Sequence, residues 1–175
     1  MTVARIDLLL RQLDIAWALF DHHLKDIDDA LCLWEPAPHC WSVRQDGLGR
    51  WVADWQVPEP EPVPAVTIGW LTWHMGFWWT TTLGHCFGDG APPREEIIWP
   101  GGAAAAAEWL RGLKADWQER LSPLTDADLD SADRTAGLWG QEQTLADVAG
   151  WLNVELTKNV AEIGLVRILH GARAR

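Results

Sequence analysis

Apolar residues recur at spacings of three and four along the first 33 residues. They are Ile6, Leu9, Leu10, Leu13, Trp17, Phe20, Leu24, Ile27 and Leu31. This spacing places them on one face of a helix, so it predicts a long amphipathic helix over residues 3–33. Pro36 and Pro38 forbid its continuation. Residues 34–66, which include the proline-rich run 58–64, are therefore predicted to form an unusually long irregular connection.

Three further segments have helical patterns, over residues 67–87, 102–121 and 144–170. Thr67 is a suitable N-cap for the first, and Thr144 with Asp147 three residues on is typical of a capping box. Gly171 stands where a helix C-cap is expected. No convincing strand is present. The pattern predicts one all-α domain over residues 1–175, a four-helix bundle with a long loop between its first two helices.

Charge narrows the range of partners. The net charge is −11, with 25 acidic residues against 14 Lys plus Arg, so a phosphate backbone would be repelled and nucleic acid is not expected as a partner. The N-terminal segment mixes charged residues into its apolar ones, which breaks up any signal-peptide core. Three cysteines with no C-x-x-C pair fit reduced thiols. We therefore expect a cytoplasmic protein.

The segment from Val63 to Gly88 contains no Asp, Glu, Lys or Arg and is long enough to span a bilayer. It also contains several threonines, two histidines and several glycines, and its flanks are acidic and proline-rich rather than basic. We expect a buried bundle helix here and no membrane partner.

The chain has fourteen tryptophans and no tyrosine. Trp70, His74 and Trp78 are four residues apart, so they lie along one face of the helix predicted over 67–87. His74 is then either a neutral core imidazole, hydrogen-bonded to a neighbour, or a ligand in an apolar cleft. Composition alone does not separate an aromatic core from a pocket lined by tryptophans.

The last helix carries a stripe of polar residues. Glu155, Asn159 and Glu162 are spaced four and three apart and share one side of the helix, with Lys158 beside them. The stripe is either a solvated face with an internal Glu155–Lys158 ion pair, or a face that looks into the bundle toward His74.

Short motifs distributed over the chain resemble a known family. They are Trp41-Ser42-Val43 after a proline-containing turn, Leu71-x-Trp73-His74 within a helix, and A-E-I-G-x-x-R-x-L at residues 161–169. The order of elements and these motifs are similar to those of the DinB-like superfamily. The resemblance implies an up-down-down-up bundle, often a homodimer. It also implies a divalent metal, commonly zinc or nickel, held by one histidine of the second helix and an H-x-x-x-H pair of the last. Some members are transferases or isomerases that use low-molecular-weight thiols.

In this register His74 matches the first ligand, whereas the two ligand positions of the last helix fall on Glu155 and Asn159. One imidazole, one carboxylate and one amide would bind zinc poorly. Manganese or magnesium would accept oxygen ligands but usually requires more carboxylates. Lys158 suggests another arrangement, in which an ammonium or an amide hydrogen-bonds Glu155 and His74 and no metal is needed. We expect metal to be absent or weakly bound.

Two hypotheses follow. In the first, the protein is a metal-dependent transferase or hydrolase that acts on a small molecule with a thiol cosubstrate. Its metal is held by His74, Glu155 and Asn159. In the second, it is a metal-free bundle that binds a small molecule or serves as a dimeric scaffold. Under either hypothesis the residues around His74 are expected to border a pocket: Trp70, Trp73, Trp78, Lys158 and Glu162.

Overall fold

The computed structural model describes residues 4–140 and 142–173, and these residues are mostly helical. The helices are α1 (Arg5–Leu24), α2 (Asp29–Cys32), α3 (Ile68–Phe87), α4 (Ala103–Leu121), α5 (Asp126–Asp130) and α6 (Leu145–Arg173). Helices α1, α3, α4 and α6 are the long ones, and they correspond to the four predicted helices.

The single helix predicted over residues 3–33 is wrong beyond Leu24, and residue 3 lies outside the described part of the chain. Helix α1 ends at Leu24, and a turn leads into the separate short helix α2. The side chain of Asp28 accepts a hydrogen bond from the backbone N–H of Leu31 at 2.8 Å. This cap starts a new helix and so competes with continuation of the first.

The expectation of no strands is also wrong. The strands are β1 (Cys40–Trp41), β2 (Val43–Gln45), β3 (Trp51–Ala53) and β4 (Ala65–Val66). Strands β2 and β3 form an antiparallel hairpin, and β1 pairs with β4 in parallel. Val43 is buried and the next two residues are exposed, so β2 contributes only its first side chain to the core. The segment 34–66 is thus a folded layer rather than an irregular loop.

The predicted starts of α3 and α6 are confirmed. The Thr67 hydroxyl accepts a hydrogen bond from the backbone N–H of Trp70 at 3.1 Å. Thr144 and Asp147 form the reciprocal bonds of a capping box, at 2.9 and 3.2 Å. The predicted C-cap at Gly171 is wrong, because α6 runs through it to Arg173.

Helix α3 is central to the packing, since it contacts α4 on one side and α6 on the other, while α6 also packs against α1. The α3–α4 contact depends on Gly76, because a Cβ there would lie 1.8 Å from the Trp109 ring. No helix in the described part of the chain has the length and apolar character that a bilayer crossing requires.

Candidate functional site

His74 lies in the middle of α3 with only 8% of its surface exposed. Its imidazole stacks on the indole of Trp70, with ring centroids 4.6 Å apart and planes at 16°. The indole of Trp55 lies on it as well, at 6.3 Å and 30°. The role of Trp55 could not be predicted from the amino-acid sequence, because nothing distinguishes this tryptophan from the others until the 34–66 segment folds over α3.

The hydrogen bond from Trp78 shows which ring nitrogen of neutral His74 carries the proton. The Trp78 indole N–H donates to Nε2 of His74 at 2.9 Å. An indole nitrogen can only donate, so Nε2 must be the unprotonated acceptor. The neutral imidazole therefore carries its proton on Nδ1.

The side-chain oxygen of Asn159, in α6, accepts the hydrogen bond that Nδ1–H of His74 donates. Asn159 is fully buried, and its Oδ1 lies 3.1 Å from Nδ1 of His74. Its amide nitrogen donates to the backbone oxygen and to Oε1 of Glu155, at 2.7 and 3.0 Å. Because both of those partners are acceptors, the amide has one consistent orientation, with its oxygen toward His74.

Glu155 and Lys158 extend the hydrogen bonds of Trp78, His74 and Asn159 toward solvent. Oε1 of Glu155 lies 3.6 Å from Nδ1 of His74 and 3.0 Å from Nζ of Lys158. Glu162 is more distant, with its carboxylate 3.9 Å from the same ammonium. We call the series Trp78–His74–Asn159–Glu155–Lys158 the His74 network.

Burial sets the charge state of His74. Burial lowers the pKa of His74 most, Glu155 and Asn159 raise it and Lys158 lowers it, so that the net pKa is about 4 instead of 6.5. The pKa of Glu162 is raised, mainly by burial and also by Glu155, against the effect of Lys158. His74 is therefore neutral at physiological pH, in agreement with the tautomer that its hydrogen bonds require.

The donor atoms of the network do not fit a divalent metal. A metal needs a free lone pair on His74, but Nε2 is engaged by Trp78 and Nδ1 carries a proton. The Asn159 oxygen is engaged by that proton. Lys158 places an ammonium 3.0 Å from Glu155, so it supplies the positive charge that a metal would bring to the carboxylate. Among the described residues, no group of three His, Cys, Asp or Glu side chains is arranged to hold a metal.

The expected pocket tryptophans pack against one another and against the core. The indole N–H of Trp70 donates to the backbone oxygen of Asp54 at 2.8 Å. That of Trp73 donates to the backbone oxygen of Ile97 at 2.7 Å. Trp78 stands edge-on to Trp151, at 5.1 Å between centroids. The hydrogen bond from Trp70 thus anchors the 34–66 segment to α3, and that from Trp73 anchors the chain at Ile97 to the same helix.

The thiols do not offer a nucleophile. Burial raises the pKa of Cys32 to about 12, and those of Cys40 and Cys86 to about 11. All three are free cysteines, and a thiol with a raised pKa is the unreactive form at neutral pH.

A groove with a volume of about 860 Å³ lies between α1 and α6. Ile15 and Leu19 of α1 line it, together with Val154 and Lys158 of α6. Lys158 thus joins this groove to the His74 network.

Comparison of the chain with curated proteins and with solved structures found no match. The family model of the DinB superfamily matches residues 12–163, which is most of the chain and includes every residue of the His74 network. The chain therefore belongs to the DinB superfamily.

Proposed function

We propose that this protein is a metal-independent, homodimeric binding scaffold of the DinB superfamily, with its four long helices in the up-down-down-up order. In this proposal hydrogen bonds occupy the position at which relatives of this type hold a metal. The observation that supports it best is the hydrogen bond from Trp78 to Nε2 of His74, at 2.9 Å.

The rival function, a metal-dependent transferase or hydrolase with a thiol cosubstrate, needs an open coordination position on a bound metal. Opening the site would require loss of the Trp78 bond, a change of the His74 tautomer and displacement of Asn159. His74 and Asn159 are buried, and each buried donor or acceptor left unpaired costs about 1–3 kcal/mol. The metal would also have to displace the ammonium of Lys158 from Glu155. These costs favour the scaffold over the enzyme.

Binding of an apolar or aromatic small molecule remains part of this proposal. Trp78, Trp139 and Trp151 are half-buried and contact one another beside the His74 network. Their outer edges could take a flat apolar ligand without breaking the hydrogen bond to His74. A ligand seated there would change tryptophan fluorescence, and a library of aromatic and thiol compounds provides the probe.

The deciding experiment is calorimetric titration of the dialysed protein, purified without chelator or immobilised nickel, with zinc, nickel and manganese. We expect no saturable binding at micromolar metal. The matched positive control is the triple variant W78F/E155H/N159H, which restores the histidines of the family pattern and frees Nε2 of His74. This variant should bind about one zinc per chain. One metal per chain in the unaltered protein, lost in His74→Ala, would overturn the proposal.

A further inference from the structure

A cleft with a volume of about 230 Å³ lies between the β2–β3 hairpin and the segment that connects α3 with α4. Val52 and Ala53 of β3 give it an apolar wall, and Ile97 of the connecting segment adds to that wall. Trp73 of α3 also lines the cleft and holds the connecting segment through its hydrogen bond to Ile97. At ~30 Å³ for each water molecule of the liquid, the cleft has room for about eight water-sized atoms, so it suits a ligand smaller than a drug molecule.

Two guanidinium groups line the same cleft. Arg50 directly precedes β3, and Arg94 begins the short 3₁₀ turn Arg94–Glu96. The guanidinium carbon of Arg94 lies 5.3 Å from the centre of the Trp55 ring, so a cation–π contact holds this side chain. Arg50 is held by Asp46, whose carboxylate lies 2.8 Å from Nη2. Both cations are therefore positioned before any ligand arrives, which reduces the entropy cost of binding.

Both arginines keep N–H donors for a ligand, because a guanidinium has five N–H groups. Asp46 contacts Nε and Nη2 of Arg50, and Glu95 accepts a hydrogen bond from Nη2 of Arg94. Within the described part of the chain, Nη1 of both arginines and Nε of Arg94 make no hydrogen bond. These groups are available to an anion that enters the cleft.

The charge of the cleft suits a ligand with a single negative charge. Its lining residues carry two positive charges and one negative charge, that of Glu95. Glu95 is 69% exposed and is the sequence neighbour of its partner Arg94, so this ion pair contributes little and competes only weakly with a ligand. A dianion such as phosphate would be repelled by Glu95 and would leave the apolar wall uncovered. A monocarboxylate matches the charge, since guanidinium and carboxylate groups form paired N–H···O bonds.

We propose that this cleft binds a small organic monocarboxylate, whose carboxylate pairs with Arg50 and Arg94 and whose apolar body lies against Val52 and Ala53. Two arginines on one cleft are a local exception in a chain with 25 acidic residues against 14 Lys plus Arg. The cleft shares no residue with the His74 network or with the tryptophans proposed above for an apolar ligand, so this site is additional to the proposed function.

Calorimetric titration of the unaltered protein with sodium benzoate, at neutral pH and low salt, tests the proposal. Benzoate joins a carboxylate to a compact apolar ring. We expect saturable binding with a dissociation constant below about 1 mM. Benzamide has the same shape without the charge, and inorganic phosphate has charge without the apolar body. Both should bind at least about 10-fold more weakly than benzoate.

Arg50→Gln and Arg94→Gln should each weaken benzoate binding by at least about 10-fold, because each removes charge-assisted hydrogen bonds. Arg120→Gln is the matched control. Arg120 is exposed to a similar extent as Arg50 and also pairs with a carboxylate four positions before it, that of Asp116, but it does not line the cleft. This variant should bind benzoate as the unaltered protein does.

Two further variants test the position of the ligand without removing an arginine. Glu95→Gln removes the competing carboxylate and should strengthen benzoate binding by up to about fivefold. Ala53→Phe fills the cleft and should abolish binding. Circular dichroism of every variant shows whether the fold is retained.

Three results would overturn the proposal: no saturable binding of benzoate at millimolar concentration, phosphate binding as tight as that of benzoate, or benzoate binding that the folded Arg50→Gln and Arg94→Gln variants both retain. The last result would place benzoate elsewhere on the protein, for example on the tryptophans beside the His74 network. The metal titration reports on the His74 network alone, so the two proposals can fail separately.

Discussion

Acid should destabilise this protein through His74. In the unfolded chain the imidazole takes a proton near pH 6.5, whereas in the folded protein the pKa is about 4. Between these values the unfolded state binds more protons, so the free energy of unfolding falls as the pH falls. Above about pH 6.5 His74 causes no loss of stability, and the loss is complete at about pH 4. Each pH unit removes about 1.4 kcal/mol, so the loss totals about 3 kcal/mol and reaches about 2 kcal/mol near pH 5.

Urea unfolding followed by tryptophan fluorescence at about pH 7.5 and about pH 5 measures this effect. The carboxylates of the chain also titrate in this range, so the informative quantity is the difference between the unaltered protein and His74→Gln. Glutamine can still accept from Trp78 and donate to Asn159 but cannot be protonated. The variant should lose about 2 kcal/mol less than the unaltered protein on acidification.

His39, an exposed histidine, provides the matched control. His39→Gln should show the same acid loss as the unaltered chain. Equal losses in His74→Gln and in the unaltered protein would refute the assignment, because the depressed pKa of His74 would then have no energetic consequence.

Two further predictions concern the packing of α3. Trp78→Phe removes the donor to Nε2 of His74 and leaves a buried acceptor unpaired, so urea unfolding at neutral pH should show a loss of about 1–3 kcal/mol. A change within the error of the measurement would contradict the role given to that hydrogen bond. Gly76→Ala places a Cβ 1.8 Å from the Trp109 ring and should cost about 1–3 kcal/mol or more. Gly112→Ala is its control, since a Cβ there meets nothing within 4 Å and should be neutral or stabilising by up to about 1 kcal/mol.

The long helices could be predicted because their signals are local. Thr67 caps α3 and Thr144 caps α6 through hydrogen bonds to residues three positions away. The strands of the 34–66 segment could not be predicted in the same way. Strands β1 and β4 pair residues 25 positions apart, Cys40 with Ala65 and Trp41 with Val66, and no local pattern signals such a contact.

In the candidate site, too, the features set by local spacing could be predicted, and those set by contacts between helices could not. Periodicity placed His74 beside Trp70 and Trp78, and it placed Glu155 and Asn159 on one side of α6. It left open whether the polar stripe faces solvent or the bundle. The contact of α3 with α6 decides this, since it brings Asn159 to 3.1 Å from His74 across 85 positions of the chain.

The amino-acid sequence alone therefore determined which residues could share a helix face and which ligand types this chain lacks. The resemblance to the DinB superfamily predicts, without coordinates, that Glu155 and Asn159 stand at the two ligand positions of the last helix. Only the tertiary structure determined which groups form hydrogen bonds with the two ring nitrogens of His74. The tautomer of an imidazole depends on the partners of both its nitrogens. Here one partner, Trp78, is on the same helix and the other, Asn159, is on a distant one, so the protonated nitrogen is defined only when the two helices pack.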